Sequence, residues 1–218
     1  MSGRFLLGVI IVWKDITMPL FNGGPHFPGD TPFTYKLDTT LDESGANVGQ
    51  VQMSLHIGTH IDAPFHYDTF GKSIDALPLE LFIGEVVVVD VTDKQVIDVE
   101  CIDEATLQGK VRVFFKTKNT YNMYRFDEQY TIVTAAAINK LAALGVQVIG
   151  VDTPSVDAID NADLTAHHAC RIAEMIIIEN LYLKDVEAGC YEFIGLPLPF
   201  QGADASPIRA VLTKKPAV

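Results

Sequence analysis

The sequence predicts a mixed α/β fold in which strands outnumber helices. Two near-continuous runs of β-branched and aromatic residues, EVVVVDV (85–91) and VRVFFKT (111–117), are typical of strands buried on both faces of a sheet. Thr134 can cap a helix over AAAINKLAAL, and the apolar run VQVIGVD follows Gly145. This order of strand, helix and strand predicts a parallel crossover connection. No linker divides the chain, so we expect a single domain over residues 1–218.

The first third of the chain adds two predicted strands and a long loop. The apolar run FLLGVIIVW (5–13) is rich in β-branched residues and no small-residue cleavage site follows it, which favours a first strand over a signal peptide. Pro and Gly punctuate residues 19–32, which predicts an irregular loop of the kind that is often functional. Apolar and polar residues alternate over residues 49–62, so we expect a half-buried strand whose odd positions, such as Val51 and Ile57, face the core.

The remaining elements complete a chain of alternating strands and helices. A short helix is expected around residues 100–108, between the two β runs. A helical stretch from about Leu164 to Ala173 leads into the apolar run MIIIENLYL (175–183), which predicts another strand. The runs YEFIGLPLPF and IRAVLT predict two more strands near the end of the chain.

Composition limits the classes of partner. The 218 residues carry a net charge of −12, and the pI is near 4.8. Binding to nucleic acid or to an anionic membrane needs clustered Lys and Arg, so we expect neither partner and favour a small molecule. The cysteines match neither a disulfide framework nor a metal knuckle, and we expect reduced, mostly buried thiols in a cytoplasmic protein. They are Cys101, Cys170 and Cys190.

The stretch HIGTHIDAPFHY concentrates imidazole in one place. Three of the six histidines and one aspartate lie within eleven positions, as His56, His60, Asp62 and His66. Side chains two positions apart lie on one face of an extended chain, so all four polar groups are expected to point into one cleft. Gly58 argues against a helix at this point.

Imidazole and carboxylate groups in this pattern indicate a metal site. They are good ligands for zinc and other first-row dications, and two His with one Asp leave coordination positions open, which is typical of catalysis. Most single histidines are surface or hydrogen-bonded core residues, but three with an aspartate at this spacing favour a metal. The spacing H-x3-H-x-D-x3-H differs from the H-E-x-x-H of zincins and from H-x-H-x-D-H.

Several motifs together resemble those of the metal-dependent cyclase-like hydrolases. Within that family the likeness is to the branch that hydrolyses the formamide bond of N-formyl-L-kynurenine. Markers run through nearly the whole chain: DITMPL, PGDTPF, HIGTHIDAPFH, IGVDTPSVD, AHHA, IIIENL, GCYEFIGLPLP and DASPIRAVL. The resemblance implies a swivelling β/β/α fold, a homodimer or higher homo-oligomer, and two divalent metal ions per subunit, zinc by preference and manganese or cobalt as alternatives.

The same resemblance implies roles for particular residues. The metal ligands fall on His56, His60, Asp62, His167 and Glu179. His66 falls on the position of the general acid/base, which would pass a proton to the leaving nitrogen while water activated by the metals attacks the carbonyl.

Two features of the sequence bear on the second group of ligands. Glu179 lies in an otherwise apolar strand, where a buried carboxylate is costly unless it meets a cation; the alternative is an edge strand with Glu179 facing solvent. His168 competes with His167, and since the two point about 100° apart on a helix, only one is expected to reach the cleft. Cys170, one turn further, is expected to be a buried thiol and not a nucleophile.

One departure from the pattern concerns the substrate. Members of this branch often carry Trp just before PGD, where the ring would stack on the substrate; here the residue is Phe27, preceded by His26. A related enzyme that acts on another amide, on a lactam of the isatin type or on another cyclic substrate is therefore the main alternative. A binding protein that has the metal but no catalysis is a second alternative, which the complete set of family positions disfavours.

Overall fold

Strands dominate the part of the chain that the structure, a computed structural model, describes, which is residues 12–214. The strands are β1 (Lys14–Asp15), β2 (Thr34–Thr39), β3 (Val48–Gln52), β4 (His60–Asp62), β5 (Ile83–Asp90), β6 (Val96–Ile97), β7 (Arg112–Lys116), β8 (Ile132–Val133), β9 (Val148–Val151), β10 (Ile176–Glu179), β11 (Gly189–Ile194), β12 (Ala205–Pro207) and β13 (Val211–Lys214). The α-helices are α1 (Leu41–Ser44), α2 (Glu104–Leu107), α3 (Ala135–Ala143) and α4 (Thr165–Ile172). Short 3-10 turns span Pro64–His66, Ile74–Ala76, Leu79–Phe82 and Val99–Cys101. The expected mixed α/β fold with more strand than helix is confirmed.

One mixed sheet of nine strands organises the described residues. Its order is β1-β13-β11-β5-β7-β9-β10-β4-β12. The central strands β5, β7, β9 and β10 run parallel, and antiparallel strands flank them on both sides. The parallel pairing of β7 with β9, with α3 between them in sequence, confirms the crossover that the sequence predicts.

The sheet separates two apolar cores. Because side chains alternate across a strand, Val113 and Phe115 of β7 pack with helices α3 and α4, whereas Phe114 packs on the opposite face. Strand β10 follows the same rule, with Ile177 on the helical face and Ile178 on the other. The same alternation places Glu179, the last residue of β10, on the helical face.

The predicted strand over residues 49–62 is wrong in its middle. The alternation there belongs to two separate strands, β3 and β4, and the residues between them turn instead of extending. Gly58 has φ +69°, a left-handed conformation that breaks an extended chain. Val51 is 53% exposed, because β3 forms a two-stranded hairpin with β2 outside the main sheet. Ile57 is buried as expected, but through the turn.

Other expectations are modified near the termini and in the loops. Residues 5–11 of the predicted first strand lie outside the described residues, and the first described strand is β1. The helix expected around 100–108 is reduced to a 3-10 turn and the four residues of α2. The strands expected near the C-terminus form as β11 and β13, with β12 as an additional short strand between them. Among the cysteines, only Cys170 is buried and Cys190 is exposed, so the expectation of mostly buried thiols is wrong, although all three are free.

Within residues 12–214 no helix is long and apolar enough to cross a membrane.

The turn at Gly58 generates a stability prediction. Replacing Gly58 with Ala should lower the free energy of unfolding by about 1–2 kcal/mol, the usual cost of a left-handed conformation for a residue with a Cβ. Chemical denaturation measures this change. Gly109→Ala is the control for the backbone conformation alone, because Gly109 has φ +73° and open space around it, whereas a Cβ on Gly58 would also lie 2.6 Å from Leu20 Cδ2; Gly58→Ala should therefore cost at least as much as Gly109→Ala. An unchanged or more stable Gly58→Ala protein would mean that residues 56–60 are extended after all.

Candidate functional site

The site forms where β4 lies beside the end of β10. The two strands are antiparallel, and their register pairs His60 with Glu179 and Asp62 with Ile177. Directly paired residues on neighbouring strands lie on the same face of the sheet, so all of these side chains face helix α4. The expectation that His60 and Asp62 share one face is confirmed, and Glu179 is buried inside the sheet instead of on an edge.

Asp62 is the centre of the cluster. It is fully buried, and its Oδ1 lies 2.9 Å from His56 Nδ1 and 3.2 Å from His60 Nε2. Its Oδ2 lies 3.7 Å from His167 Nε2. Although these nitrogens lie close, neither oxygen of Asp62 has a hydrogen-bond partner among the described residues. The nitrogens crowd around the carboxylate without donating to it.

In each of the three histidines around Asp62, the ring nitrogen that faces away from Asp62 lies near a hydrogen-bond acceptor. His60 Nδ1 lies 2.9 Å from the carbonyl oxygen of Gly58, so the turn at Gly58 fixes this ring. In the neutral ring the Nε2 atom of His60 then carries the lone pair, and it is also without a hydrogen-bond partner in the described part of the chain. His56 contacts Asp204 through Nε2 at 2.9 Å, which leaves its Nδ1 toward Asp62.

Asp157 fixes His167 and starts helix α4. His167 Nδ1 donates to Asp157 Oδ2 over 2.7 Å, and the backbone N–H groups of Ala166 and His167 donate to the same carboxylate. A carboxylate at this position satisfies free N–H groups of the first helical turn. The ring of His167 is held with Nε2 facing Asp62 and Glu179, at 3.7 Å and 3.8 Å.

Glu179 completes the buried group. Only 4% of it is exposed, and its Oε1 accepts a hydrogen bond from the backbone N–H of Val156 over 3.0 Å. Its Oε2 lies 3.5 Å from His60 Nε2. The two carboxylates of Asp62 and Glu179 therefore face the free nitrogens of His60 and His167 from different sides.

Electrostatic effects inside the cluster are strong. Burial alone would lower the pKa of His60, but Asp62 and Glu179 outweigh it and raise the pKa to about 10. Burial would also lower the pKa of His167, but Asp157, Asp62 and Glu179 outweigh it and raise the pKa to about 10. Burial would raise the pKa of Asp62, but the surrounding histidines hold it well below its usual range. The carboxylates require positive charge beside them.

The residues fit a divalent cation. His60 Nε2 and both oxygens of Asp62 are buried polar atoms without hydrogen bonds, and such atoms are rare unless an unseen ion or water satisfies them. Three groups offer ligand atoms within 4.8 Å of one another: His56, His60 and Asp62; Asp62, His66 and His167; and His56, His66 and Asp204. Imidazole nitrogens and carboxylate oxygens are ligands that zinc and other first-row dications prefer.

His66 lies at the accessible side of the cluster. Its side chain is 33% exposed, on the 3-10 turn that follows β4. Its ring centroid is 4.1 Å from that of His56 and 5.9 Å from that of His167. Burial lowers the pKa of His66 below its ordinary value. This histidine can reach a molecule bound beside the buried group.

A cavity of about 440 Å³ opens next to these residues. The loop expected over residues 19–32 supplies much of its wall. Phe27 lines the cavity, and its ring meets the edge of Phe126 at a centroid distance of 5.4 Å. His26 also lines it. Site histidines and carboxylates share the cavity with aromatic rings: His56, His66, His167, Glu179, Phe21, Phe27, Phe33 and Phe126.

The structure separates the predicted residues from their competitors. His167 is buried in the cluster, whereas His168 is exposed on the outer side of α4, so only one of the two reaches the cleft, as expected. Sequence reasoning missed Asp157 and Asp204, which contact His167 and His56. Both lie in motifs that carry the family resemblance, IGVDTPSVD and DASPIRAVL, and that resemblance was the available signal, since nothing in the surrounding residues distinguishes Asp157 from Asp152.

The chain is similar to a known protein family along most of its length. A family model described as "Putative cyclase" matches residues 14–158, about two thirds of the chain. A curated kynurenine formamidase of Bacillus cytotoxicus is 40% identical over 201 residues, which cover 92% of this chain and 96% of that protein. A kynurenine formamidase of Bacillus cereus is also 40% identical with the same coverage.

Solved structures extend the likeness to the fold. A "potential metal-dependent hydrolase with cyclase activity" superposes with a TM-score of 0.82 at 29% identity, covering 95% of this chain and 100% of the other. A predicted metal-dependent hydrolase from Bacillus stearothermophilus gives a TM-score of 0.81 at 29% identity, covering 94% and 99%. Isatin hydrolase A from Ralstonia solanacearum gives 0.80 at 22% identity, covering 94% and 92%, and shows the fold alone.

A cation should stabilise this protein through His167 and not through His168. Zinc added to chelator-treated protein should raise the midpoint of thermal unfolding, because a ligand bound only by the folded chain adds about 2.7 kcal/mol at one hundred times its Kd. His167→Ala should lose most of this shift. His168→Ala, the neighbour on the same helix, should keep it. Differential scanning calorimetry makes the comparison, and an undiminished shift in His167→Ala would exclude that residue as a ligand.

Proposed function

The chain belongs to the cyclase family, and from this premise we propose that it is a metal-dependent amidohydrolase that cleaves N-formyl-L-kynurenine to kynurenine and formate. Its curated relatives at 40% identity are kynurenine formamidases that match it over nearly their whole length. The structural observation that carries the proposal is the shared cavity. His56, His66, His167 and Glu179, which belong to the cluster suited to a cation, line it together with a set of phenylalanine rings suited to an aromatic amide.

Five residues would hold the metal. They are His56, His60, Asp62, His167 and Glu179. The family resemblance implies two divalent ions, and Asp62 lies within 3.7 Å of a nitrogen of three histidines, so its carboxylate could act as a ligand together with them. Zinc suits this set of ligands, as do manganese and cobalt. When bound, such a cation polarises the formyl carbonyl and makes water acidic enough to act as a nucleophile near neutral pH.

The protein's own residues orient the substrate and move the proton. Hydrolysis adds the oxygen of water to the formyl carbon and breaks the bond between that carbon and the aryl nitrogen. An arylamine leaves poorly unless its nitrogen is protonated, so a general acid is needed at this bond. His66 can supply that proton, since it is exposed to the cavity and packs against His56. The products are formate and the free aromatic amine.

The aromatic wall would select the substrate ring. Phe27 and Phe126 meet edge to face in the cavity and come from two separate loops. A planar aromatic ring gains both burial and favourable edge or face contacts there. Phe27 offers less area than Trp and has no N–H group, so it would give the ring aromatic contact without a hydrogen bond.

A lactam hydrolase is the second candidate. Isatin hydrolase shares the fold, and the aromatic cavity would also accept a bicyclic lactam. The chemistry is the same addition of water to an amide carbonyl, but the amine stays attached to the product after ring opening. The two candidates therefore differ in the cavity and not in the catalytic residues.

Association into a homodimer or higher oligomer stays a prediction, as does the cytoplasmic location. The exposed apolar residues of the hairpin β2–β3 support association, because an isolated two-stranded hairpin is only marginally stable in water. They include Tyr35, Leu37, Val48 and Val51.

Replacing His66 should separate catalysis from metal binding. His66→Ala should retain the metal content of the wild type, because the buried ligands remain, but kcat for N-formyl-L-kynurenine should fall about 10²–10⁴-fold. Metal analysis and steady-state kinetics on the same sample measure both quantities, with His168→Ala as the control histidine. A His66→Ala enzyme with normal kcat would remove this residue from the mechanism.

A substrate panel should decide between the two candidates. We expect kcat/KM for N-formyl-L-kynurenine to exceed that for isatin by more than about tenfold, a difference that pocket contacts alone can supply. The measurement follows kynurenine and isatinate formation with one preparation of metal-loaded enzyme. A preference for isatin would keep the hydrolytic site and replace the proposed substrate.

A further inference from the structure

An acidic side chain immediately before strand β12 lies at the edge of the site. It pairs with β4, and the register places Ala205 opposite Asp62. Asp204 precedes β12, and its backbone carbonyl accepts a hydrogen bond from Ala63 N–H over 2.9 Å. Asp204 is thereby fixed beside the HIGTHID segment although it lies more than a hundred residues away in sequence. No role in the site follows from its motif alone.

The side chain of Asp204 contacts two histidines of the site. Its Oδ2 lies 2.9 Å from His56 Nε2 and 3.7 Å from His66 Nδ1. Of the two carboxylates near this ring, only that of Asp204 forms a hydrogen bond with it, so in the neutral ring the proton of His56 lies on Nε2 and the lone pair on Nδ1. That Nδ1 is the atom 2.9 Å from Asp62. The contact with Asp204 thus determines which nitrogen of His56 is available to a cation.

We propose that Asp204 is a positioning residue that fixes the ring of His56 for metal binding and, through that ring, the place of His66. The inference rests on the metal centre of the proposed function. The place of His66 depends on His56 because the two rings pack against each other at 4.1 Å between centroids. An acceptor on the far nitrogen of a ligating histidine holds the ring and strengthens the ligand.

The other two histidines of the cluster are held in the same way. His60 uses the carbonyl of Gly58 and His167 uses Asp157 as the acceptor for the nitrogen away from Asp62. Asp204 therefore supplies the third such contact. It differs from Asp157 in exposure, since 41% of its side chain is accessible, against 3% for Asp157. Substituting Asp204 should consequently disturb the fold much less than substituting Asp157.

The backbone around Asp204 is fixed independently of its carboxylate. Ile74 N–H donates to the carbonyl of Ala203, and Gly202 N–H donates to the carboxylate of Asp75. These bonds remain when the side chain of Asp204 is removed. Asp75 also provides a matched control, because Asp75→Asn changes an acidic residue that binds the same loop but contacts neither histidine.

The test compares Asp204→Ala, Asp204→Asn and Asp75→Asn in the full chain. Each protein is stripped with chelator, and its affinity for Zn²⁺ is measured by competition with a chromogenic chelator. Asp204→Ala should bind zinc about 10–100-fold more weakly, the usual effect of removing such an acceptor. Asp204→Asn, which can still accept through its amide oxygen but has no charge, should lie between Asp204→Ala and the wild type. Asp75→Asn should match the wild type.

The Co²⁺-loaded proteins supply a readout that a general loss of stability would not change. The visible absorption bands of bound cobalt depend on the orientation of its ligands, so Asp204→Ala at saturating Co²⁺ should show shifted bands and Asp75→Asn should not. Wild-type zinc affinity and an unchanged cobalt spectrum in both Asp204 variants would overturn the inference while the metal centre stands. A wild-type chain that binds no metal would overturn the proposed function and this inference together.

Discussion

The buried charge of Asp62 is the constraint on which the rest of the site depends. A carboxylate removed from water without hydrogen bonds is costly, and it persists only beside positive charge. Both oxygens of Asp62 lack hydrogen-bond partners within the described residues, while nitrogens of His56, His60 and His167 lie within 3.7 Å of it. Protonated histidines or divalent cations can meet this requirement. The free nitrogens of these histidines face Asp62, and Glu179 is a second buried carboxylate beside them. Both features favour cations over protonated histidines.

The fold brings these groups together because the antiparallel strand β4 lies beside the parallel strands of the core. Strands β9 and β10 end at the site. From the end of β9 the chain continues through a loop to the N-terminus of α4. Ligands commonly bind beyond the carboxyl ends of parallel strands in open α/β sheets. Here β4 adds His60 and Asp62 from a different part of the chain. Strand β12 closes the edge, and Asp204 lies immediately before it.

Sequence reasoning could predict the chemistry of the site better than its geometry. The spacing of His56, His60 and Asp62 predicted a shared cleft correctly, because the pattern is local. The reason was partly wrong: only His60 and Asp62 share a strand, and His56 arrives through the turn at Gly58. A positive φ at one glycine cannot be read from alternation, since a period of two fits both a long strand and two short ones.

Contacts between distant parts of the chain explain the remaining differences. His167 and Glu179 came from family resemblance and not from spacing, and Asp157 and Asp204 were not identified at all. Each of these side chains acquires its role from strand register or from a helix start, which a single sequence does not specify. The hairpin β2–β3 was missed for a related reason, since its residues pack outside both apolar cores. The parallel crossover was predictable because its helix cap and buried strands are local signals.

The most direct test of the account is a metal titration of the chelator-treated protein in which bound metal and turnover of N-formyl-L-kynurenine are measured on the same samples. If the buried cluster is the catalytic metal centre, the stripped protein is inactive and kynurenine release rises in step with bound zinc or manganese. Turnover that persists in protein shown to contain no metal would contradict the central claim.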